Sequence, residues 1–166
     1  MTQARRYVGL DPFWGDSPEI LILGTFPGEE SLRLAKEGKF AYYGSRRNDF
    51  WKLVSGDMRC QLDDCGKEKL LNKKHIALWD IYSEVDREGS ADAHIKSGKY
   101  NDILGELAKH PTIRKVLVNG KGQHQTRFFK QLDVKEKEQL SSSSCANRRT
   151  ITFQEKLEEW QEAINL

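Results

Sequence analysis

The residues best suited to chemistry form an aromatic and polar cluster in the first third of the chain. Aromatic rings can stack on a base, guanidinium groups can bind phosphates, and an amide can orient a small molecule. The cluster consists of Phe40, Tyr42, Tyr43, Arg46, Arg47, Asn48, Phe50 and Trp51. Phe50 and Trp51 share helical faces with Leu53 and Val54, so we expect them in the core. The other members predict a site that handles a nucleobase on a strand.

A strand–turn–helix unit precedes the cluster. Residues 20–23 are an apolar run too short for a helix, which predicts a buried strand ending at Gly24. Gly24, Pro27 and Gly28 then predict an open turn, followed by a helix over residues 29–36. Ligands of open α/β sheets bind just beyond the carboxyl ends of parallel strands, where this turn lies. The same unit is about equally expected as scaffold alone.

Three further short runs predict strands. Residues 75–79 are followed by Asp80, residues 115–118 are followed by Asn119, and a weaker strand within residues 137–140 leads into a serine run. Strands that alternate with helices predict a parallel sheet covered on both sides. The loops after the four strands should therefore open at one edge, and we expect the chemistry there.

The remaining segments give weaker or more local signals. Residues 1–19 predict an irregular lead-in, residues 48–54 and 66–71 predict short helices, and residues 84–99 predict a long loop. A loop of that length in a compact domain is more often functional than not. The last helix is signalled best, because Thr152 and Glu155 form a capping box before an amphipathic run.

Length and composition set the outer bounds. The 166 residues predict one domain over 1–166, and 37% hydrophobic with 31% charged residues is ordinary for a globular protein. No apolar run is long enough to cross a membrane and the N-terminus lacks a signal-peptide core, so we expect a cytoplasmic protein. The formal net charge of +2 gives no global field, but Arg46-Arg47 and Arg148-Arg149 lie beside candidate loops and predict phosphate contacts.

The cysteines and histidines predict no metal or other cofactor. Cys60, Cys65 and Cys145 are odd in number, which argues against a disulfide framework, and too few for a four-thiolate centre. The histidines are scattered and form no paired motif.

Five segments, in order, are similar to the uracil-DNA glycosylase superfamily. The resemblance is closest to its hypoxanthine-DNA glycosylase (deoxyinosine glycosylase) branch, and next to the G:U mismatch-specific branch. The segments cover most of residues 20–147: Gly24-Thr25-Phe26-Pro27-Gly28, then Tyr42-Tyr43-Gly44-Ser45-Arg46-Arg47-Asn48-Asp49-Phe50-Trp51, then Ile76-Ala77-Leu78-Trp79-Asp80-Ile81-Tyr82, then Val118-Asn119-Gly120, and finally residues 141–147.

The resemblance implies a three-layer α/β/α sandwich with a central four-stranded parallel sheet. It also implies a monofunctional DNA glycosylase of base excision repair, a monomer that flips a deaminated base out of double-stranded DNA and hydrolyses its glycosidic bond, with hypoxanthine the leading substrate and uracil second. The implied catalytic residue is Asn48. The implied base-binding residues are Gly24, Thr25, Phe26, Pro27, Gly28, Tyr43 and Asp80. The implied DNA-binding residues are Arg46, Arg47, Ser142, Ser143, Ser144, Cys145, Ala146, Asn147 and Arg148.

The sequence departs from the family pattern at three points. Phe26 stands where most branches carry Asn or Asp, Ser141 replaces a common proline before the serines, and Arg47 occupies a position where Pro-Arg or Pro-Ala pairs are usual. Because phenylalanine cannot activate water, a nucleic-acid-binding protein of this fold without catalysis stays open as an alternative. A protein acting on free nucleosides or nucleotides also stays open, and it would be favoured if the arginine doublets made no phosphate contacts.

Individual residues also keep structural alternatives. Asn48 is a common residue type for a helix N-cap, and Asp80 could simply end a strand. Asn119 with Gly120 is typical of a turn, and Cys145 is typical of a packed small residue. The serine run would also suit a flexible linker.

Overall fold

Strands and helices alternate along most of the chain in the computed structural model, which describes residues 3–165. The strands are β1 (Arg5–Val8), β2 (Ile20–Gly24), β3 (Ile76–Asp80), β4 (Tyr82–Arg87), β5 (Ile95–Tyr100), β6 (Lys115–Asn119) and β7 (Lys137–Leu140). The helices are α1 (Glu29–Lys36), α2 (Phe50–Ser55), α3 (Asp64–Lys74), α4 (Ile103–Lys109), α5 (Gln123–Gln131) and α6 (Phe153–Ile164).

The central sheet is parallel and has the strand order β3-β2-β6-β7. Its middle strands are apolar runs buried on both faces, as expected when helices cover a parallel sheet. One face packs with residues of α2, α3 and α6, and the other with residues of α4 and α5. The predicted three-layer α/β/α sandwich is therefore confirmed, with all four predicted strands in place.

A second, antiparallel sheet occupies segments in which no strand is predicted from the sequence. Its order is β1-β4-β5, so the predictions of an irregular lead-in and of a long loop over residues 84–99 are wrong in part. Only the hairpin tip between β4 and β5 remains a loop. No apolar run predicts these strands, because they carry mostly polar side chains. Only the first residue of β5 is buried, and all four residues of β1 are at least partly exposed. Long-range pairing rather than an apolar pattern forms this sheet.

The helices follow their local signals, with shifted bounds. α6 begins with the predicted capping box, in which Thr152 and Glu155 cap each other's backbone N–H groups. α2 starts two residues later than predicted and ends at Gly56, which has a left-handed φ of 78°. α3 is longer than the predicted helix because Asp63 caps its start at Gly66 N. Such shifts are usual when helix ends are read from sequence alone.

Within residues 3–165, no helix has the length and apolar character needed to cross a bilayer. That residues 1–166 form a single domain stays a prediction.

Candidate active site

A cleft of about 510 Å³ opens at the carboxyl edge of the central sheet. The lining includes the carboxyl ends of β2, β3 and β6 and the loops that follow β2 and β7, as the parallel topology predicts. The predicted site residues in this lining are Gly24, Thr25, Phe26, Pro27, Gly28, Tyr43, Arg47, Asn48, Asp80, Ser142, Ser143, Ser144 and Ala146. The lining does not include Arg46, Cys145, Asn147 or Arg148, which lie in the same two loops but outside the cleft.

Asn48 lies in the cleft immediately before α2. Its Oδ1 accepts a hydrogen bond from Phe50 N at 3.0 Å, so the side chain does cap the start of the helix. Its Nδ2 makes no side-chain hydrogen bond with any residue in the described part of the chain. A carbonyl oxygen has two lone pairs. Capping therefore leaves Asn48 with a free acceptor position on Oδ1 and two free donors, and catalysis by this residue stays a prediction.

Tyr43 has a backbone φ of 53°, a conformation that few residues other than glycine adopt. Its ring is stacked on Phe50, with centroids 3.9 Å apart and planes 12° from parallel, and its carbonyl oxygen accepts from Trp51 Nε1 at 3.1 Å. One ring face is thus covered by the core, which leaves only the other for a base. Burial, followed by the negative charge of Asp80, raises the pKa of the Tyr43 hydroxyl above its ordinary value.

Asp80 ends β3 and is 5% exposed at the bottom of the cleft. Its Oδ2 makes no hydrogen bond within residues 3–165, and neither does the hydroxyl of Tyr43. Both groups lie against Gly24, because a Cβ added there would be 2.5 Å from Asp80 Oδ1 and 3.1 Å from the Tyr43 hydroxyl. A glycine at the end of β2 is therefore required for this pair to fit. Buried polar atoms without partners are rare, and here they face a cavity that a polar ligand could fill.

The turn between β2 and α1 is held from behind by Arg87, which the sequence did not single out. Arg87 is 0% exposed, donates from Nη2 to Pro27 O at 2.9 Å, and lies 5.2 Å from the Phe26 ring. The unexpected phenylalanine thus forms part of a cation–π support for the turn. No hydrogen bond among the described residues uses the backbone N–H groups of Phe26 or Gly28.

The β4–β5 hairpin tip closes one side of the cleft. Ser90 Oγ accepts from Glu29 N at 2.9 Å, which fixes the tip to the start of α1. Asp92 also lines the cleft, and its Oδ2 accepts from Gln125 Nε2 at 3.3 Å. Burial raises the pKa of Asp92, while the charge of Arg87 opposes that rise. Sequence reasoning missed these residues, although the expectation that residues 84–99 include a functional loop pointed to their segment.

The serine loop, residues 141–147, is joined directly to the loop that carries Asn48. Asp49 N donates to Ser143 O at 2.8 Å, and Cys145 N donates to Arg47 O at 2.9 Å. Asn119 adds a two-point contact, because its Oδ1 accepts from Ser143 N at 2.9 Å and its Nδ2 donates to Ser143 Oγ at 2.8 Å. The reading of this segment as a flexible linker is therefore wrong, and Asn119 does more than form a turn.

Helix α6 anchors both ends of the serine loop. At the first end, the Glu159 carboxylate accepts hydrogen bonds from Ser141 N and Ser141 Oγ. Trp160 Nε1 donates a hydrogen bond to Ser141 O at 2.9 Å. At the other end, Lys156 Nζ donates to Ser144 O at 3.1 Å and to Asn147 Oδ1 at 2.6 Å. Lys156 is 1% exposed, and burial lowers the pKa of its ammonium group.

The cationic side chains around the mouth differ in their availability. Arg46 and Arg47 are exposed and take part in no ion pair within residues 3–165. Arg148 is exposed but lies 3.4 Å from the buried Asp49 carboxylate. Cys145 is partly buried, and burial raises the pKa of its thiol, which agrees with a packing role. In the described part of the chain, no group of His, Cys, Asp and Glu side chains converges as metal ligands would.

This arrangement of sheet, cleft and loops is that of the uracil-DNA-glycosylase-like proteins. A proposed uracil DNA glycosylase from Methanosarcina acetivorans, solved by solution NMR, matches it with a TM-score of 0.78 and 32% identity over 96% of this chain and 97% of that one. No protein-family model matches the sequence.

Two curated relatives define the family more closely. A hypoxanthine DNA glycosylase from Methanosarcina acetivorans is 39% identical over 137 residues, which are 81% of this chain and 84% of that protein. One from Methanosarcina barkeri is 35% identical over 148 residues, which are 86% of this chain and 89% of that protein. The chain belongs to the hypoxanthine DNA glycosylase family, and the predicted resemblance is confirmed.

Proposed function

We propose that this DNA glycosylase excises a deaminated base from double-stranded DNA, with hypoxanthine as its leading substrate and uracil second. The observation that carries the proposal is the convergence of Asn48, Tyr43, Asp80 and the β2–α1 turn on one cleft. The names of the curated relatives support hypoxanthine. We further propose that the protein acts as a monomer and without a metal.

Base entry requires flipping, because the glycosidic bond of a stacked nucleotide is out of reach. The free face of the Tyr43 ring would stack on the flipped base. The unused N–H groups of Phe26 and Gly28 would bind a carbonyl oxygen of the base, as an oxyanion hole does. Donors held in place before the reaction stabilise charge that grows on the base as the bond lengthens.

Asn48 would position the attacking water. A neutral amide is a poor base, but its free acceptor position can hold a water about 3 Å from the anomeric carbon, as near-attack geometry requires. The oxocarbenium character of the sugar then lets a weakly activated water react. Phe26 takes no part in this step, since its ring is stacked on Arg87.

The serine loop would fill the space left by the flipped base. Its tip is built of small residues. Two backbone hydrogen bonds, Cys145 N to Arg47 O and Asp49 N to Ser143 O, join it to the loop that carries Arg46 and Arg47. Residues 142–146 would enter from the minor groove while the arginines contact the compressed phosphates.

One gel tests the substrate assignment. Purified protein in excess is incubated with duplexes containing hypoxanthine, uracil or xanthine, with an abasic duplex as a control for strand cleavage. We expect alkali-labile sites first with hypoxanthine. Intact strands with every base would favour a binding protein without catalysis, and DNA affinity that does not fall with salt would favour a nucleoside ligand.

A pair of variants at Asn48 separates catalysis from capping. Asn48→Ala should abolish turnover with DNA affinity nearly unchanged, because the amide acts in the transition state. Asn48→Ser is the matched control, since serine can still cap Phe50 N but is too short to hold the same water. We expect serine to restore the melting temperature without restoring excision. Recovery of excision by serine would show that Asn48 is only a cap.

A further inference from the structure

The carboxyl group of Asp80 has a setting that base recognition alone does not require. It is buried, one oxygen has no partner, and no Lys, Arg or His within residues 3–165 pairs with it. A carboxylate in such a place loses its hydration without gaining a counter-charge, which is costly. The neutral acid form avoids that cost and has a proton to donate.

In the described part of the chain, the side chains that face Asp80 are two phenols and a second carboxylate. Tyr43 approaches from the loop before α2, Tyr42 from the same loop, and Asp92 from the β4–β5 hairpin tip. The charge of Arg87 acts on Asp92, and His124 also lies near Asp92. Burial first, and the negative charge of Asp92 second, raise the pKa of Asp80 to about 7.

The proposed N–H donors of the β2–α1 turn would stabilise charge on a carbonyl oxygen of the base, but they cannot protonate its ring. When the C1′–N9 bond breaks, both electrons go to the purine, which leaves as an anion unless it is protonated. Asn48 serves only the water. The cleft lining contains one cationic side chain, Arg47, which lies on the exposed side next to the serine loop.

We propose that Asp80 is the general acid that protonates the leaving purine at a ring nitrogen conjugated with N9. The inference rests on the proposed excision of hypoxanthine. As the C1′–N9 bond breaks, the Asp80 proton moves to the purine, which departs neutral. Water adds to C1′ and loses a proton to solvent, and the Asp80 carboxylate takes up a proton from solvent before the next turnover. Asp92 is a positioning residue that keeps Asp80 protonated near neutral pH.

The test is the single-turnover rate of hypoxanthine excision as a function of pH. For the unmodified protein, the rate should be constant at low pH and fall about tenfold per pH unit above about pH 7. Asp80→Asn should lower the rate at pH 6 by about 10²- to 10⁴-fold, the usual range for general acid catalysis, and remove the break. Melting temperature and affinity for an abasic duplex are measured for each variant, so that misfolding is not mistaken for lost catalysis.

Asp92→Asn supplies the second arm. Asparagine keeps an acceptor for Gln125 but removes the negative charge, so the pKa of Asp80 should fall and the break should move to lower pH. A break that is unchanged in Asp80→Asn, or a flat profile in the unmodified protein, would overturn the assignment while leaving the glycosylase function intact. No excision by the unmodified protein at any pH would instead refute the proposed function.

Discussion

Replacing Asp80 by asparagine should make the folded protein more stable at neutral pH, although the side chain keeps its size. The pKa of Asp80 rises from an ordinary 3.8 to about 7 on folding, with burial as the main cause. Between these values the folded state binds a proton that the unfolded state has lost. The free energy of unfolding therefore falls as pH rises through this window, and asparagine, which does not titrate, escapes the loss.

The size of the effect follows from the same two pKa values. At about 1.4 kcal/mol for each pH unit, a rise from 3.8 to about 7 corresponds to about 4 kcal/mol. Most of this difference should develop between about pH 4 and pH 7, with a plateau above. It is a large fraction of the stability of a typical domain, so the variant should be easy to distinguish.

Urea unfolding of both proteins at several pH values between about 4.5 and 8 measures the difference directly. The matched control is Asp86→Asn, because hydrogen bonding by Ser97 and then Arg6 lowers the pKa of that exposed carboxyl. Asp86→Asn should therefore be less stable than the unmodified protein, and this difference should stay nearly constant above about pH 4 and shrink only in more acid solution. Parallel curves for the unmodified protein and Asp80→Asn would refute the claim that Asp80 is protonated in the folded state, and with it the proposed acid.

Three further predictions concern DNA. Tyr43→Ala should weaken binding of a flipped base by about 1–3 kcal/mol, measured as the affinity difference between a hypoxanthine duplex and an undamaged one; an equal loss on both would argue against stacking. Exchanging Arg46 and Arg47 together for glutamine should reduce the slope of log affinity against log salt by about 2, and an unchanged slope would show that neither contacts phosphate. Glycines at Ser144 and Cys145 should impair excision most on well-paired duplex and little on single strands, whereas equal losses would rule out a wedge.

The central sheet and the order of the site loops could be predicted from the sequence because their signals are local. The apolar run ending at Gly24 and the capping box at Thr152 depend only on neighbouring residues. The antiparallel sheet could not be predicted, since β1 and β4 pair across nearly the whole first half of the chain. Arg87 shows the same limit: a buried arginine in a polar strand is recognisable only once Phe26 and the Pro27 carbonyl lie beside it.

The candidate site divides in the same way. The residue types at Asn48, Tyr43 and the serines indicated their segments, and the topology brings most of them together. The hydrogen bonds between Asp49, Ser143 and Asn119 had no local signal. The position of Asp92 in the cleft could not be predicted, because the composition of its hairpin is typical of a loop and the pairing of β4 with β5 has no local signal.

Anchoring of the serine loop on α6 has a consequence for how this sequence can vary. If residues 142–146 enter the duplex as proposed, the force that the stacked bases exert on them passes through Lys156, Glu159 and Trp160 into α6, a helix that contains none of the five family segments. Substitutions of Ala146, at the exposed tip of the loop, should reduce activity less than substitutions of buried residues on the inner face of α6. On that proposal, we expect substitutions on the inner face of α6 to impair excision from paired DNA while the protein still folds, even in a sequence whose five family segments are unchanged.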